Sequence, residues 1–265
     1  MTYSPQIELL KWIAIFTMVL DHGIKIFNQG FVYIPGVSEL TRVSFPLFTF
    51  VLAYNYMYHT YDKVAYLKRL FVFALISQPF FMLAFNTYFL NIFFVLFFGL
   101  SMIYLLEQMN ERQGNIYTQI FLLLFIFCLS VLADYGVFGL LLVLVSFRLA
   151  MVINYQKEYL FGFLKICNLK KSSFLSRKNI KDKSLKEKIF FNLTLFFFAI
   201  IFANLIGMII IKHYMFVVIG AILTIALIIN VPKLKIPRVN KYVFYVFYPV
   251  HLLILWGVNE IFFIA

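Results

Sequence analysis

The first apolar stretch of the chain carries three side chains suited to binding or moving charge: Lys11, Asp21 and His22. On a helix, eleven steps of about 100° lead from residue 11 to residue 22 and return to within about 20° of the starting direction. Lys11 and His22 therefore share one face, roughly 16 Å apart along the axis. Lys11 could hold the charged end of a long anionic ligand, or simply anchor the helix at the headgroups. His22, an imidazole that titrates near neutral pH, could accept and return a proton, or serve in packing.

Asp21 and the last apolar stretch extend this polar set. Asp21 points about 100° away from His22, so it need not contact His22 and could instead orient a group on another helix. The sequence "FYVFYPVHLLILW" spaces Tyr245, Tyr248 and His251 three residues apart. His251 lies about ten residues into the stretch, or roughly 15 Å, and could approach the level of His22. The alternative is a structural histidine bonded to a carbonyl freed by Pro249.

Three further polar residues belong to the same group of candidates. Arg42, in "LTRVSFPLF", has the fork-like donors that bind carboxylate or phosphate. Asp134, in "LADYGVFG", could orient a base or an incoming amine. Each is alternatively an interfacial anchor. Gln78, in "ISQPF", could bind a polar group or form hydrogen bonds between helices, the more ordinary role.

Composition defines the elements that must position these residues. The chain has 265 residues, of which 63% are hydrophobic and 20% aromatic, and its mean hydropathy is +0.92, so it is an integral membrane protein. The apolar runs are near 20 residues long instead of alternating at period two, which favours helices over a barrel. We predict an all-α polytopic helical bundle of about nine transmembrane helices. The predicted spans are 8–27, 43–59, 66–85, 89–106, 116–133, 135–153, 189–211, 214–230 and 241–263.

The basic residues predict the orientation of this bundle. Lysine and arginine total 23 against 11 acidic residues, and most of them fall in alternate connections. This positive-inside pattern predicts a cytoplasmic amino terminus. We expect one transmembrane domain over 1–265, with a basic cytoplasmic loop at about 154–188. That loop could contact anionic lipid, but the pattern favours an ordinary solvated loop over a nucleic-acid patch.

Several kinds of site have no signature in the sequence. It contains no phosphate-binding glycine loop, no His/Glu metal motif and no serine elbow. Cys128 and Cys167 have no metal-ligand spacing. We therefore expect neither ATP hydrolysis nor a metal cofactor.

Six segments together resemble the TraX family, and they occur in the family's order over most of the chain. They are "LLKWIAIFTMVLDH", "RVSFPLFTFVLAYNY", "RLFVFALISQPFFMLAF", "LNIFFVLFFGL", "LADYGVFGLLL" and "KYVFYVFYPVHLLIL". The resemblance implies a polytopic membrane acetyltransferase, and the founding member of the family acetylates the amino terminus of conjugative pilin. The spacing of Lys11 and His22 also resembles the first-helix motif of the type 3 membrane acyltransferases, which modify surface glycans with an acyl-CoA donor.

The resemblance implies roles for individual residues. It draws attention to Lys11, Asp21, His22, Arg42, Pro46, Gln78, Pro79, Asp134, Tyr248 and His251. We expect His22, His251, Asp21 and Asp134 to be catalytic, and Lys11, Arg42, Tyr248 and Gln78 to bind acetyl-CoA as the acyl donor. Compared with the family pattern, the loop at 154–188 is longer, which leaves substrate and partner choice open.

The expected function is acetyl transfer from acetyl-CoA to an amine or hydroxyl of a pilin-like protein or an envelope glycan, in the bacterial cytoplasmic membrane. Either histidine could remove the acceptor's proton, and both direct transfer and a transient acetyl-histidine fit the residues. A transporter or proton-coupled carrier is an alternative, because polar groups at mid-membrane also line transport paths. A non-catalytic assembly partner is another. The partners expected are membrane lipids and the acceptor, with no nucleic acid and with the oligomeric state open.

Overall fold

The computed structural model describes residues 4–30, 32–153, 176–205, 215–234 and 236–264. Over these ranges the chain forms helices and no strand, which confirms the all-α prediction. In chain order the helices are α1 (Pro5–Phe27), α2 (Val37–Thr41), α3 (Ser44–Tyr58), α4 (Lys63–Phe85), α5 (Ile92–Asn110), α6 (Ile116–Ser130), α7 (Gly136–Val152), α8 (Ser176–Leu205), α9 (Met215–Asn230) and α10 (Lys241–Asn259), followed by a π-helical turn at Glu260–Ile264.

Each predicted span corresponds to one of the longer helices in the described part of the chain. In the described residues, four stretches are long and apolar enough to cross a membrane: Lys63–Phe85, Ile92–Asn110, Glu187–Asn204 and Tyr242–Phe262, the last of which continues from α10 into the π-helical turn. The apolar helices α6, α7 and α9 are shorter. The chain is thus a helical membrane protein, and which end of it faces the cytoplasm remains a prediction.

The last part of the predicted basic loop is helical. We expected a loop to about residue 188, but α8 begins at Ser176, inside the basic segment. Lysine and glutamate have high helix propensity, so a charged sequence can extend an apolar helix beyond the hydrocarbon. The first part of the predicted loop, 154–175, lies outside the described residues.

Polar residues at the amino ends of the helices determine where several of them begin. The side chains of Asp62, Asn91, Asn115 and Asn240 accept hydrogen bonds from backbone N–H groups in the first turns of α4, α5, α6 and α10. Such caps satisfy N–H groups that have no partner within the helix. At the start of α1, Pro5 occupies a position where its missing N–H costs nothing.

Helix packing places five helices around a central space. α1 packs against α3 and α10, and α4 packs against α5 and α10. α7 lies behind α3 and α5 and packs against α8, and α9 packs against α8, α2 and α3. The contact of α5 with α7 depends on a small residue, because a Cβ added at Gly99 would lie 2.6 Å from Val143 Cβ. α6 lies at the edge and exposes most of its apolar side chains, as a lipid-facing helix does.

The connection between α6 and α7 is short, and it is hydrogen-bonded to a neighbouring turn. Leu90 N donates to Leu132 O at 2.9 Å, and Asp134 N donates to Leu90 O at 2.8 Å. Tyr135 then adopts a left-handed conformation, with φ +63°, before α7 begins. These bonds hold Asp134 and Tyr135 beside the start of α5.

Candidate active site

A cavity of about 990 Å³ lies between α1, α3, α4, α5 and α10. Its wall includes side chains from Ser4, directly before α1, to Lys25 in the last turn of α1, a length of about 30 Å at 1.5 Å per residue. That length matches the hydrocarbon thickness of a bilayer, about 30 Å. The cavity therefore reaches towards both ends of the bundle, and its volume lies at the upper end of the range for small-molecule sites.

Two histidines meet beside this cavity. His22 on α1 lines the wall, and its Nδ1 lies 2.8 Å from Nε2 of His251 on α10. His251 is buried, with 5% of its surface exposed, and its own Nδ1 lies 3.0 Å from the carbonyl oxygen of Phe247. The expected approach of the two residues is thus observed.

The hydrogen bonds of this pair determine which nitrogens carry protons. A carbonyl oxygen can only accept, so His251 Nδ1 donates to Phe247 and His251 Nε2 is left as an acceptor. His22 Nδ1 must then donate to His251. The remaining nitrogen, His22 Nε2, carries a lone pair in the neutral pair. This arrangement leaves His22 Nε2 able to accept a proton, while the bond to His251 holds the His22 ring in place.

Aromatic side chains enclose the pair. The ring of Phe85 lies edge-on to His22, with the centroids 5.2 Å apart, and the ring of Tyr248 lies at 6.1 Å. Phe247 stacks on His251 at 5.1 Å. Tyr248 also lines the cavity, so it can contact a ligand held beside His22.

Asp21 forms the centre of a buried ion cluster. One carboxylate oxygen accepts from Arg42 at short range, and the other accepts from Lys25 Nζ at 2.6 Å. Arg42 also donates to Thr41 Oγ1 at 3.2 Å. Asp21 thus pairs with Arg42, which caps the carboxyl end of α2, and with Lys25 on its own helix. Asp21 and Lys25 line the cavity, whereas Arg42 lies behind them.

Asp134 and Tyr135 form the wall at the end of the cavity that we predict to face outwards. Asp134 Oδ1 accepts from the Tyr135 backbone N–H at 3.1 Å. Burial raises the pKa of the Asp134 carboxyl above its usual range. The ring of Tyr135 stacks on Phe45, with the centroids 4.2 Å apart. The hydrogen-bonded turn thus presents a carboxyl group to the cavity.

The opposite end of the cavity is rich in charge. Lys11 Nζ lies 2.6 Å from Glu8 Oε1 and 5.0 Å from the ring centroid of Phe244. Arg69 and Arg238 line the same region. Lys11 thus lies where we expected the phosphates of the acyl donor to bind, but Glu8 already neutralises the charge of Lys11.

The sequence matches the family described as TraX protein over residues 6–259, nearly the whole chain. The chain belongs to the TraX family. No curated protein and no solved structure matches it. The membership agrees with the resemblance seen in the six sequence segments.

Within this TraX chain, two predicted donor-binding residues lie off the cavity wall. Gln78 accepts from Asn91 N at 2.9 Å and donates to Phe89 O at 2.8 Å, so its amide joins α4 to the turn before α5. Arg42 reaches the site through Asp21. Neither geometry supports direct contact with a donor. The alternative in which His251 bonds to the carbonyl freed by Pro249 is not observed. Pro249 frees the carbonyl of Tyr245, whereas His251 bonds to the carbonyl of Phe247.

Sequence reasoning missed several residues on the wall of this TraX cavity. Glu8 lies three positions before Lys11, and Lys25 lies four after Asp21 and three after His22. These spacings put each residue on the same face as its partner and could have identified it. No such spacing identifies Arg69, because in the sequence it is indistinguishable from the other basic residues of a cytoplasmic connection. Among the described residues, no group of three His, Cys, Asp or Glu side chains is arranged to hold a metal.

Proposed function

We propose that this TraX protein is a membrane-embedded acetyltransferase that moves an acetyl group from acetyl-CoA to an amine or hydroxyl. The observation that carries the proposal is the histidine pair at the cavity wall, in which His251 orients His22 and leaves His22 Nε2 as a proton acceptor. Such a base, held in a cavity long enough for an extended donor, suits acyl transfer.

The charged end of the cavity supports binding of the donor's phosphates. Lys11, Arg69 and Arg238 line it together, near the cytoplasmic side in the predicted topology. A donor held there by its phosphates would extend its thioester along α1 towards His22, roughly 16 Å further on. Lys11 would exchange its bond to Glu8 for a bond to phosphate.

The chemical step follows from the placement of His22. The acceptor nitrogen or oxygen attacks the thioester carbonyl carbon, and its proton passes to His22 Nε2. The carbon–sulfur bond then breaks, and the thiolate takes the proton from His22 to leave as the free thiol. His251 stabilises the transient imidazolium by accepting from His22 Nδ1, and direct transfer therefore needs no acetyl-histidine.

The acceptor would enter from the other end, beside Asp134. A carboxylate there can hold an amine or accept from a hydroxyl. In the predicted topology this end faces outwards, so we propose a pilin-like protein or an envelope glycan as acceptor and the bacterial cytoplasmic membrane as the location. Donor and acceptor would then meet at His22 from opposite sides.

A proton-coupled carrier is the second candidate, because a cavity that reaches both ends of the bundle also suits transport. The two functions differ in their product. Only a transferase releases thiol from acetyl-CoA and leaves acetyl on another molecule.

The test combines purified protein in lipid nanodiscs with acetyl-CoA labelled in its acetyl group and an envelope extract from cells that lack the protein. We expect thiol release together with labelled acetyl on an envelope protein or glycan, detected by mass spectrometry. Tight acetyl-CoA binding without transfer to any envelope component would contradict the proposal. Label transfer in the absence of the protein is the background to subtract.

A further inference from the structure

Lys25 is a cation on the cavity wall that the proton-transfer scheme above does not use. It lies one helical turn after His22 on α1, and both residues line the cavity together with Asp21. Residues three apart on a helix have Cβ atoms about 5–6 Å from each other. The Lys25 ammonium and the His22 imidazole therefore face the same part of the cavity.

Asp21 holds this ammonium in place. Its Oδ2 accepts from Lys25 Nζ at 2.6 Å, and the side chain of Lys25 keeps 29% of its surface exposed. Asp21 takes one of the three N–H donors of the ammonium, and the wall position allows the others to reach a ligand. The cation is thus fixed on one side and accessible on the other.

Asp21 is itself held from behind. Arg42 binds its other oxygen, and Arg42 is packed against α9, where a Cβ added at Gly220 would lie 2.6 Å from Arg42 Cβ. This close packing fixes the base of the Arg42 side chain against α9, and the ring of Phe216 on α9 lies 5.9 Å from the guanidinium carbon. Arg42 is therefore a positioning residue for Asp21 and, through it, for Lys25.

We propose that Lys25 is a catalytic residue that stabilises the oxyanion formed when the acceptor attacks the thioester. This inference rests on the proposed acetyl transfer. As the new bond to the carbonyl carbon forms, the carbonyl electron pair moves to oxygen, and the negative oxygen accepts from the Lys25 ammonium. When the carbon–sulfur bond breaks, the pair returns to re-form the carbonyl. A hydrogen-bond donor that is already held in position, in a site with a low dielectric constant, makes such stabilisation large.

Other cations fit this role less well. Lys11 lies at the far end of the cavity, about 21 Å from Lys25 along α1, and Arg42 lies behind Asp21, off the wall. Lys25 alone among these three combines a wall position with proximity to His22. The sequence signal for it is its spacing from both Asp21 and His22.

The test compares Lys25→Met and Lys25→Arg with the wild-type protein in nanodiscs, using acetyl-CoA and a synthetic peptide with a free amino terminus. We expect Lys25→Met to lower kcat by about 10²- to 10³-fold, as the loss of one oxyanion donor does, and to leave the KM for acetyl-CoA unchanged. Lys25→Arg keeps a cationic donor and should recover part of the rate. A structural role would not produce this split between kcat and KM together with rescue by arginine.

The matched control is Lys63→Met, which breaks a similar lysine–carboxylate pair, 2.7 Å from Glu107, away from the cavity. It should keep the wild-type kcat. Folded Lys25→Met with wild-type kcat would overturn the role of Lys25 while leaving acetyl transfer intact. A wild-type protein that binds acetyl-CoA and transfers no acetyl group to the peptide or to the envelope extract would overturn the proposed function and this inference together.

Discussion

The ion cluster around Asp21 gives a quantitative prediction about stability. Only 10% of the Asp21 side chain and 7% of the Arg42 side chain are exposed, so Asp21→Asn removes a countercharge from a buried guanidinium. Breaking a buried pair in this way costs about 3–5 kcal/mol, because the remaining charge stays desolvated. We expect Asp21→Asn to lower the free energy of unfolding by about that amount.

A double-mutant cycle isolates this effect. Arg42→Met removes the charge that loses its Asp21 partner in Asp21→Asn, so the double variant should recover much of the loss, with a coupling energy of about 2–3 kcal/mol between the two sites. Denaturation of detergent-solubilised protein by sodium dodecyl sulfate, followed by circular dichroism, measures each corner of the cycle.

The control for the cycle is the more exposed pair of Lys63 and Glu107, whose side chains are 35% and 28% exposed. Lys63→Met should cost at most about 1 kcal/mol, as pairs near the surface do. If Asp21→Asn costs no more than this control, or if the effects of Asp21→Asn and Arg42→Met simply add, the cluster does not behave as a buried, mutually dependent unit.

Three further predictions concern binding and orientation. Lys11→Ala should raise the KM for acetyl-CoA about 10- to 100-fold with little change in kcat, because a charged hydrogen bond to phosphate contributes about 1.5–3 kcal/mol; steady-state kinetics showing a defect in kcat alone would contradict its role. Asp134→Asn should raise the KM for the acceptor. Burial raises the pKa of the Asp134 carboxyl, so the acceptor KM of the wild-type protein should rise as the pH falls through that pKa, and the KM of the variant should not show this dependence. In a background without native cysteines, a maleimide added outside intact cells should label Tyr88→Cys but not Arg112→Cys, two exposed positions at opposite ends of α5; the reverse pattern would invert the topology.

The bundle was largely predictable because the apolar runs specify helices directly. Backbone groups in lipid must bond within the segment, so a long apolar run leaves few other structures. The apolar run does not mark the start of α8, because the charged sequence from Ser176 continues the helix beyond its apolar part. Hydropathy marks the hydrocarbon boundary, whereas helix propensity decides where the helix itself begins.

The site was predictable only in part. Helical spacing was enough to place Lys11 and His22 on one face, and depth along the last helix was enough to bring His251 near His22. The pairing of Lys11 with Glu8 and the position of Gln78 away from the wall depend on which helices are neighbours and how each is rotated. The sequence pattern alone does not show which helices are neighbours or how each is rotated about its axis.

Acetyl transfer by His22→Gln most directly tests whether His22 accepts the proton of the acceptor. Glutamine keeps a hydrogen-bonding side chain of similar size, so His22→Gln should fold and bind acetyl-CoA but cannot take up a proton. With purified protein, labelled acetyl-CoA and the peptide acceptor, we expect transfer to fall by about 10²- to 10⁴-fold, as loss of a general base does. Folded His22→Gln that transfers acetyl at close to the wild-type rate would contradict the assignment of His22 as the base.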